Sequence, residues 1–274
     1  MLQGEQRLLK EIVLVGLGLH DEKGISLQGL EEAKTSDRIF IELYTSLLPG
    51  FSAKRFEKLS GKKLHILSRR ELEDENGRKI FDAAEKGKVA LLVPGDPLIA
   101  TTHIALRIEA QKRGVKTRIV HGASALSAVI GLSGLHSYKF GRVVTIPFPD
   151  ETRSETPYEV ITKNMKLGLH TICLLDIKAE QKHYLTIPEA ADALSEVEQK
   201  RRKGTVTRDT LAVGIAQAGS NNPTVKADFV RNLRKHDFSD PPQTLIFSGK
   251  LHFTEAEALI ALAGAPKELM ETAE

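Results

Sequence analysis

The chain has 274 residues, 41% hydrophobic and 27% charged, with a net charge of +3: enough for one large domain or two of about 130 residues each, globular in composition, and too evenly charged to argue for nucleic acid. No apolar run approaches the roughly 20 residues of a membrane span, and the charged opening MLQGEQRLLKE lacks the apolar core of a signal peptide and reads as a short leader. The single cysteine, Cys173, excludes an internal disulfide and suits a buried thiol in a cytoplasmic protein.

In chain order, residues 12–15 form a short apolar strand that runs at once into Gly16-Leu17-Gly18-Leu19. Ser26 caps a helix over residues 27–34, with Leu27, Leu30 and Ala33 on one face. Residues 39–41 are the next strand, Phe56 and Leu59 mark a helix that Gly61 stops, and residues 64–67 are a third strand. Ile80, Phe81 and Ala84 mark another helix, closed by Gly87. An apolar strand over residues 89–93 then leads into Pro94-Gly95-Asp96-Pro97, and a helical pattern over residues 101–113 carries Ile104 and Ile108 inward. Residues 117–120 are a fifth strand and residues 123–132 a helix of small residues. Strand and helix alternate five times, which predicts a parallel five-stranded sheet with helices on both faces.

The pattern changes after Gly141. Residues 142–148 read as a strand, and Pro147, Pro149 and Asp150 break the chain. A helix over residues 157–167 ends at Gly168, and residues 171–175 are a strand. Thr186 and Glu189 form a capping box, with proline in the first turn, for a helix whose inner face is Ala190, Leu194 and Val197. Strands follow at residues 210–217 and 245–247, separated by the loop Gly219-Ser220-Asn221-Asn222-Pro223. Thr254 and Glu257 read as a second capping box before a last helix that Gly264 closes. The second half thus has fewer strands and longer helices.

Two turns carry the chemistry. Pro94-Gly95-Asp96-Pro97 follows a buried strand, where open α/β sheets place their ligands; the prolines stiffen the corner and Gly95 permits a backbone angle that other residues resist. Asp96 is either aimed at a ligand from that corner or caps the following helix. Gly16-Leu17-Gly18 after the first strand invites a dinucleotide reading, and Glu42 stands where a ribose-binding acid would. The fingerprint, however, needs a third glycine where this chain has Asp21, and the loop runs about ten residues before its helix, too long for a dinucleotide turn. The glycines still say that backbone comes close to a ligand or to another strand.

Seven stretches define a resemblance: GLGLHDEKGIS (16–26), ELYTSLL (42–48), PGDPLIATTH (94–103), GLHSYKFG (134–141), GLHTICLLDIKAE (168–180), AQAGSNNPT (216–224) and DPPQTLI (240–246). With these the chain resembles the class III, or tetrapyrrole-methylase-like, S-adenosylmethionine methyltransferases, and within them the diphthine synthase family. The resemblance implies two α/β domains, residues 10–141 and 142–274, the second with a mixed sheet and helices, and a folded S-adenosylmethionine in the cleft between them, with S-adenosylhomocysteine as product. It implies that Leu19 packs beside the cofactor, that Asp96 and Ile99 contact its amino-acid or ribose part, and that Ser124 and Ala125 offer polar and backbone contacts. Leu175 lines the adenine side, and Ala218 and Gln243 complete the pocket; the family often has histidine where this chain has Gln243.

Each of these positions has a plainer alternative. Leu19, Ile99, Leu175 and Ala218 suit a hydrophobic core, and Ser124 suits a helix cap. His103, His136 and His170 are not spaced as a metal site, so no metal is expected and a surface or hydrogen-bonded role suits them. Asp176, Lys178 and Glu180 suit a solvated strand end, and the basic run 199–203 a helix C-terminus. Tyr44, Thr45, Thr101, Thr102 and His103 flank the turns on the acceptor side, but none earns a catalytic role from sequence.

The activity implied is successive N-methylation of the amine of the 3-amino-3-carboxypropyl-histidine of translation elongation factor 2, which gives diphthine in diphthamide biosynthesis. It would be carried out by a cytoplasmic homodimer that binds neither nucleic acid nor membrane. A precorrin-type methylase would share fold and cofactor, and a non-enzymatic sensor of adenosyl ligands would share the pocket; both stay open at this point.

Overall fold

The computed structural model describes residues 10–149 and 154–271. The leader through Leu9, and Asp150 at the expected chain break, lie outside the described residues. Contacts divide the chain into two compact units after Ser124, whereas sequence pattern changes only after Gly141. The reason is the helix in between, whose Val129 packs with strands of the second sheet. Among the described residues no helix is long and apolar enough to cross a membrane.

The first unit alternates β1 (Glu11–Gly16), α1 (Leu27–Thr35), β2 (Arg38–Glu42), α2 (Ala53–Ser60), β3 (Leu64–Leu67), α3 (Arg78–Ala84), β4 (Lys88–Val93), α4 (Ile104–Lys112) and β5 (Lys116–Val120). The strands form one parallel sheet in the order β3-β2-β4-β1-β5. Side chains of a strand alternate between faces, and here both faces are covered. Ile12 and Leu14 of β1 pack with Ile80 and Phe81 of α3 and Leu106 and Ala110 of α4. Val13 and Val15 pack with Ala33 of α1 and Phe56 of α2. A strand buried on both sides reads as an unbroken apolar run, and β1 and β4 do so.

Two helix faces differ from expectation. In α1 Ala33 faces the sheet as expected, but Leu27 is exposed and Gly29 takes the inward place. The helix approaches so closely that a Cβ on Gly29 would lie 2.7 Å from Val15 Cγ1. In α4, Ile104 and Ile108 are exposed while Leu106 and Ala110 are buried. The helix begins at Ile104 rather than Thr101, and a phase error of two residues carries a side chain to the opposite face.

The second unit contains α5 (Ala125–Ser133), β6 (Val144–Ile146), α6 (Thr156–Lys166), β7 (Thr171–Leu175), a small hairpin of β8 (Ile177–Lys178) and β9 (His183–Tyr184), and α7 (Ile187–Arg201). It continues with β10 (Leu211–Ala216), β11 (Thr224–Phe229), α8 (Val230–Leu233), β12 (Gln243–Phe247) and α9 (Phe253–Ala263). Its main sheet is mixed, in the order β11-β10-β12-β7-β6, with only β6 and β7 parallel. Cys173, Leu245 and Phe247 meet α6 and α7 on one face, and Ile172, Val213 and Ile246 meet α5 and α9 on the other. The edge strand β11, the hairpin and α8 are absent from the sequence expectation. In β11 only Ala227 is buried, so no apolar run marks it. Cys173 is fully buried, which pushes its thiol well above the ordinary value.

GLHSYKFG and α9 meet at one carboxylate. Glu255 is fully buried and accepts from the His136 amide at 2.7 Å, His170 Nε2 at 3.0 Å, the His252 amide at 2.9 Å and the Lys139 ammonium. The second capping box is therefore His252 with Glu255, not Thr254 with Glu257: Glu255 is the acid that these donors draw inward. The Gly249 amide donates to His170 Nδ1 at 2.9 Å, which leaves the proton on Nε2. Burial alone would raise the Glu255 pKa, but the donors hold it to about 2. Glu255→Ala leaves Lys139 and His170 without their partner and should cost about 3 kcal/mol in urea unfolding at pH 7. Because the folded value lies below the ordinary 4.5, this stabilisation is complete above pH 4.5 and is lost as pH falls toward 2. The stability gap between Glu255→Ala and the parent protein should close over that window, and a gap that persists at pH 2 would contradict the assignment.

Candidate cofactor site

In the first unit, the carboxyl ends of β4, β1 and β5 lie side by side, and each carries a glycine. Leu17 donates to the Val93 carbonyl at 2.8 Å, and Gly18 and Gly95 exchange hydrogen bonds of 3.2 and 2.7 Å. The two turns are thus stitched backbone to backbone beyond the end of the sheet. A Cβ on Gly16 would lie 2.6 Å from the Gly95 oxygen, and one on Gly122 2.3 Å from that same oxygen. Gly18 and Gly95 have φ of +75° and +70°, angles that other residues adopt at a cost. The close approach inferred from sequence is therefore, in this unit, an approach of strands to one another. On its other side Gly95 is open: the nearest atom that a Cβ there would meet is the Ala123 oxygen, at 3.9 Å.

Asp96 is buried at this junction. Its Oδ1 accepts from the Leu98 amide at 2.9 Å; its Oδ2 accepts from His121 Nδ1 at 2.7 Å and the Gly122 amide at 3.3 Å. It binds its own turn to the end of β5 and does not cap α4. A carboxylate has about four acceptor positions, so these three donors leave room for about one more. Beyond it, the Pro97 carbonyl accepts from Thr101 Oγ1 at 2.7 Å and stands 3.2 Å from His103 Nδ1. Ile99 is 44% exposed on the turn, Leu19 is half-buried, and Ser124 closes the unit.

The neighbouring polar side chains turn inward. Glu42 is fully buried and accepts from the amides of Tyr44 and Thr45, both at 3.0 Å, and from the Thr45 hydroxyl. Burial pushes its pKa up to about 6 against those bonds. With its oxygens so engaged it is no ribose ligand, which ends the dinucleotide reading. Thr102 Oγ1 donates to Glu73 at 3.0 Å. Burial, with the Glu42 and Glu73 carboxylates, pushes the Tyr44 hydroxyl well above its ordinary value. His103, expected at the surface or hydrogen-bonded, is buried with Nδ1 hydrogen-bonded to the Pro97 carbonyl.

In the second unit, Leu175 ends β7, Gln243 opens β12 and Ala218 follows β10. The register pairs Ala216 with Gln243 and Leu174 with Thr244, so these three residues gather at one end of the sheet. Ala218 packs in the same cluster as Leu126, next to Ala125 at the start of α5. Gln243 is buried and engaged at both ends of its amide. Its Oε1 accepts from the Ile187 amide at 2.9 Å and its Nε2 donates to the Ser239 carbonyl at 2.8 Å. It thus supports the first turn of α7, whose amides have no partner within the helix. A recess of about 320 Å³ in this unit, lined by Ile146, Pro157, Leu194, Val197 and Lys200 among others, includes none of the expected site residues.

Sequence reading missed His121, Gly122 and Glu73. His121-Gly122 directly after the fifth strand was the available signal for two of them; Glu73, within a run of mixed charge, offered none.

Comparison with known proteins fits this geometry. A family model described as Tetrapyrrole (Corrin/Porphyrin) Methylases matches residues 11–232. A diphthine synthase of Methanosarcina acetivorans is 46% identical over 269 residues, spanning 96% of this chain and 100% of that protein. The chain belongs to the diphthine synthase family. A second diphthine synthase, from Methanothermobacter thermautotrophicus, is 43% identical over 95% of this chain and 98% of its own. A crystal structure of diphthine synthase superposes with a TM-score of 0.87 at 42% identity, covering 96% of this chain and 100% of that one. The two-sheet α/β architecture is thus that of the diphthine synthase family, and the chain is a methyltransferase.

Proposed function

We propose that the chain uses S-adenosylmethionine to methylate, in succession, the primary amine of the 3-amino-3-carboxypropyl group on a histidine of translation elongation factor 2, giving diphthine. The observation that carries this reading is identity of 46% across the whole length of a diphthine synthase; a tetrapyrrole substrate has only the broader family model in its favour. The enzyme works in the cytoplasm, beside that substrate, as a homodimer, the commonest assembly of soluble enzymes.

The residues present fit such a cofactor. When bound, S-adenosylmethionine supplies a methyl group already activated by the sulfonium charge, so the protein's part is alignment. Leu19 and Ile99 give apolar surface beside a backbone whose open side is at Gly95. Asp96 holds that backbone in shape and keeps about one acceptor position for a ligand hydroxyl or ammonium. Ser124 adds a polar group to this unit's share of the site; in the second unit, Ala125, Leu175 and Ala218 are the positions that the family resemblance assigns to the cofactor. Gln243 acts by holding α7 in place, since its amide is already bonded internally.

S-adenosylhomocysteine should bind with micromolar affinity or better, about −8 kcal/mol. Asp96→Ala should weaken it at least tenfold in calorimetry while NAD gives no heat; unchanged affinity would remove Asp96 from the site. Light scattering should return twice the 30.2 kDa chain mass, and a monomer across micromolar concentrations would exclude the dimer. The substrate is tested with elongation factor 2 bearing either the aminocarboxypropyl histidine or unmodified histidine. Mass spectrometry should find up to three added methyl groups on the first and none on the second. Equal methylation of both, or turnover of a tetrapyrrole alone, would end this reading.

A further inference from the structure

Ala100 has φ of +57°, a left-handed angle that a residue with a side chain adopts only when its surroundings hold it there. The surroundings are few. The Pro97 carbonyl, three residues earlier, takes the Thr101 hydroxyl at 2.7 Å and faces His103 Nδ1 at 3.2 Å. A carbonyl oxygen can only accept, so Nδ1 carries the proton and Nε2 carries a lone pair. His103 is buried, and Nε2 has no hydrogen-bond partner among the described residues.

We propose that His103, in its neutral Nδ1–H form, is a positioning residue that locks the Asp96 turn in the shape that binds adenosyl ligands. This rests on the reading of that turn as the cofactor site. Protonation would place a second N–H in the core with no acceptor, at the cost of a buried unmade hydrogen bond. One charged group acts on the ring from outside its own element. Glu73, before α3, favours the cation, but its oxygens are committed to Arg69 and Thr102. Glu42 and Tyr44, at the end of β2, bond to each other through the Tyr44 amide, and Arg107 lies one turn along α4. Burial outweighs the Pro97 carbonyl and Glu73, and His103 titrates below its ordinary 6.5. The sign follows: the lock is complete above pH 6.5 and weakens as pH falls below it.

The test is calorimetry of S-adenosylhomocysteine from pH 5 to 8. The parent protein should lose at least tenfold in affinity toward pH 5. His103→Asn keeps a donor near the Nδ1 position and cannot titrate, so its affinity should stay flat within about twofold across the range. His103→Ala should bind at least tenfold more weakly at every pH. Glu42→Gln, which removes a buried carboxyl raised to about 6, should retain the parent's slope. The proposal is overturned if His103→Asn keeps the slope, if His103→Ala binds like the parent, or if Glu42→Gln abolishes the slope. If no variant and no parent sample binds the ligand, the cofactor reading fails instead. The lock is then decided by amide exchange at Leu98 and Ile99, corrected for intrinsic rates: protection should survive in His103→Asn and be lost in His103→Ala. Equal protection in both would refute it.

Discussion

The first unit depends on three backbones that meet where no side chain fits. Adjacent strands β4, β1 and β5 all end at the same edge of the sheet, and Gly16 and Gly122 stand there with backbone atoms, the Gly95 oxygen among them, where a Cβ would have to go. Glycine costs more conformational entropy to order than any other residue, and the mutual bonds of Gly18 and Gly95 offset part of that cost with peptide groups bonded to each other. Everything that identifies the site follows from this contact. Asp96 can reach the Gly122 amide only because the two turns are this close. The Pro97 carbonyl, held to Thr101 and His103, then sets where Ile99 projects.

That arrangement explains which parts of the structure were legible from sequence. Strands such as β3 and β7 are short apolar runs closed by polar residues or glycine, and their limits were read to the residue. The helix stops at Gly61 and Gly264 were equally plain, since both adopt left-handed angles after the last turn. Helix phase was less legible. In α1 the residue that faces the sheet is Gly29, which no hydrophobic pattern can reveal, and in α4 an apolar residue sits on both faces. The edge strand β11 buries one side chain and so carries no signal. For the site, Asp96 and the two glycine turns could be found because proline and glycine advertise a constrained corner. His121 and Gly122, placed directly after the fifth strand, carried a weaker signal, because their role appears only when β5 is laid beside β1.

Motif specificity and chemical role also separate here. GLHSYKFG marks the family, yet His136 and Lys139 from it serve to satisfy Glu255, and through Glu255 they join the start of α9 to His170 before β7. In LLDIKAE, Asp176 Oδ1 accepts from the Ile177 amide at 2.9 Å, and Lys178 lies 4.5 Å over the Phe148 ring. These residues hold loops in place. Gln243 belongs with them: a glutamine that bonds both the Ile187 amide and the Ser239 carbonyl ties α7 to the loop before β12.

The polar side chains around the Asp96 turn share one property that bears on the chemistry. Thr45, Thr101 and Thr102 each give their hydroxyl proton to a named oxygen of the chain, on Glu42, Pro97 and Glu73. Glu42 is sealed in the core, and Asp96 is held by three donors. A reaction that needed the enzyme to generate its own electrophile would call for a perturbed acid or a metal aimed outward from this corner. A donor that arrives already charged at sulfur asks only for a fixed surface and an exact line of approach. A corner built from interlocked backbone, with its threonine donors turned inward to keep it rigid, matches the second demand.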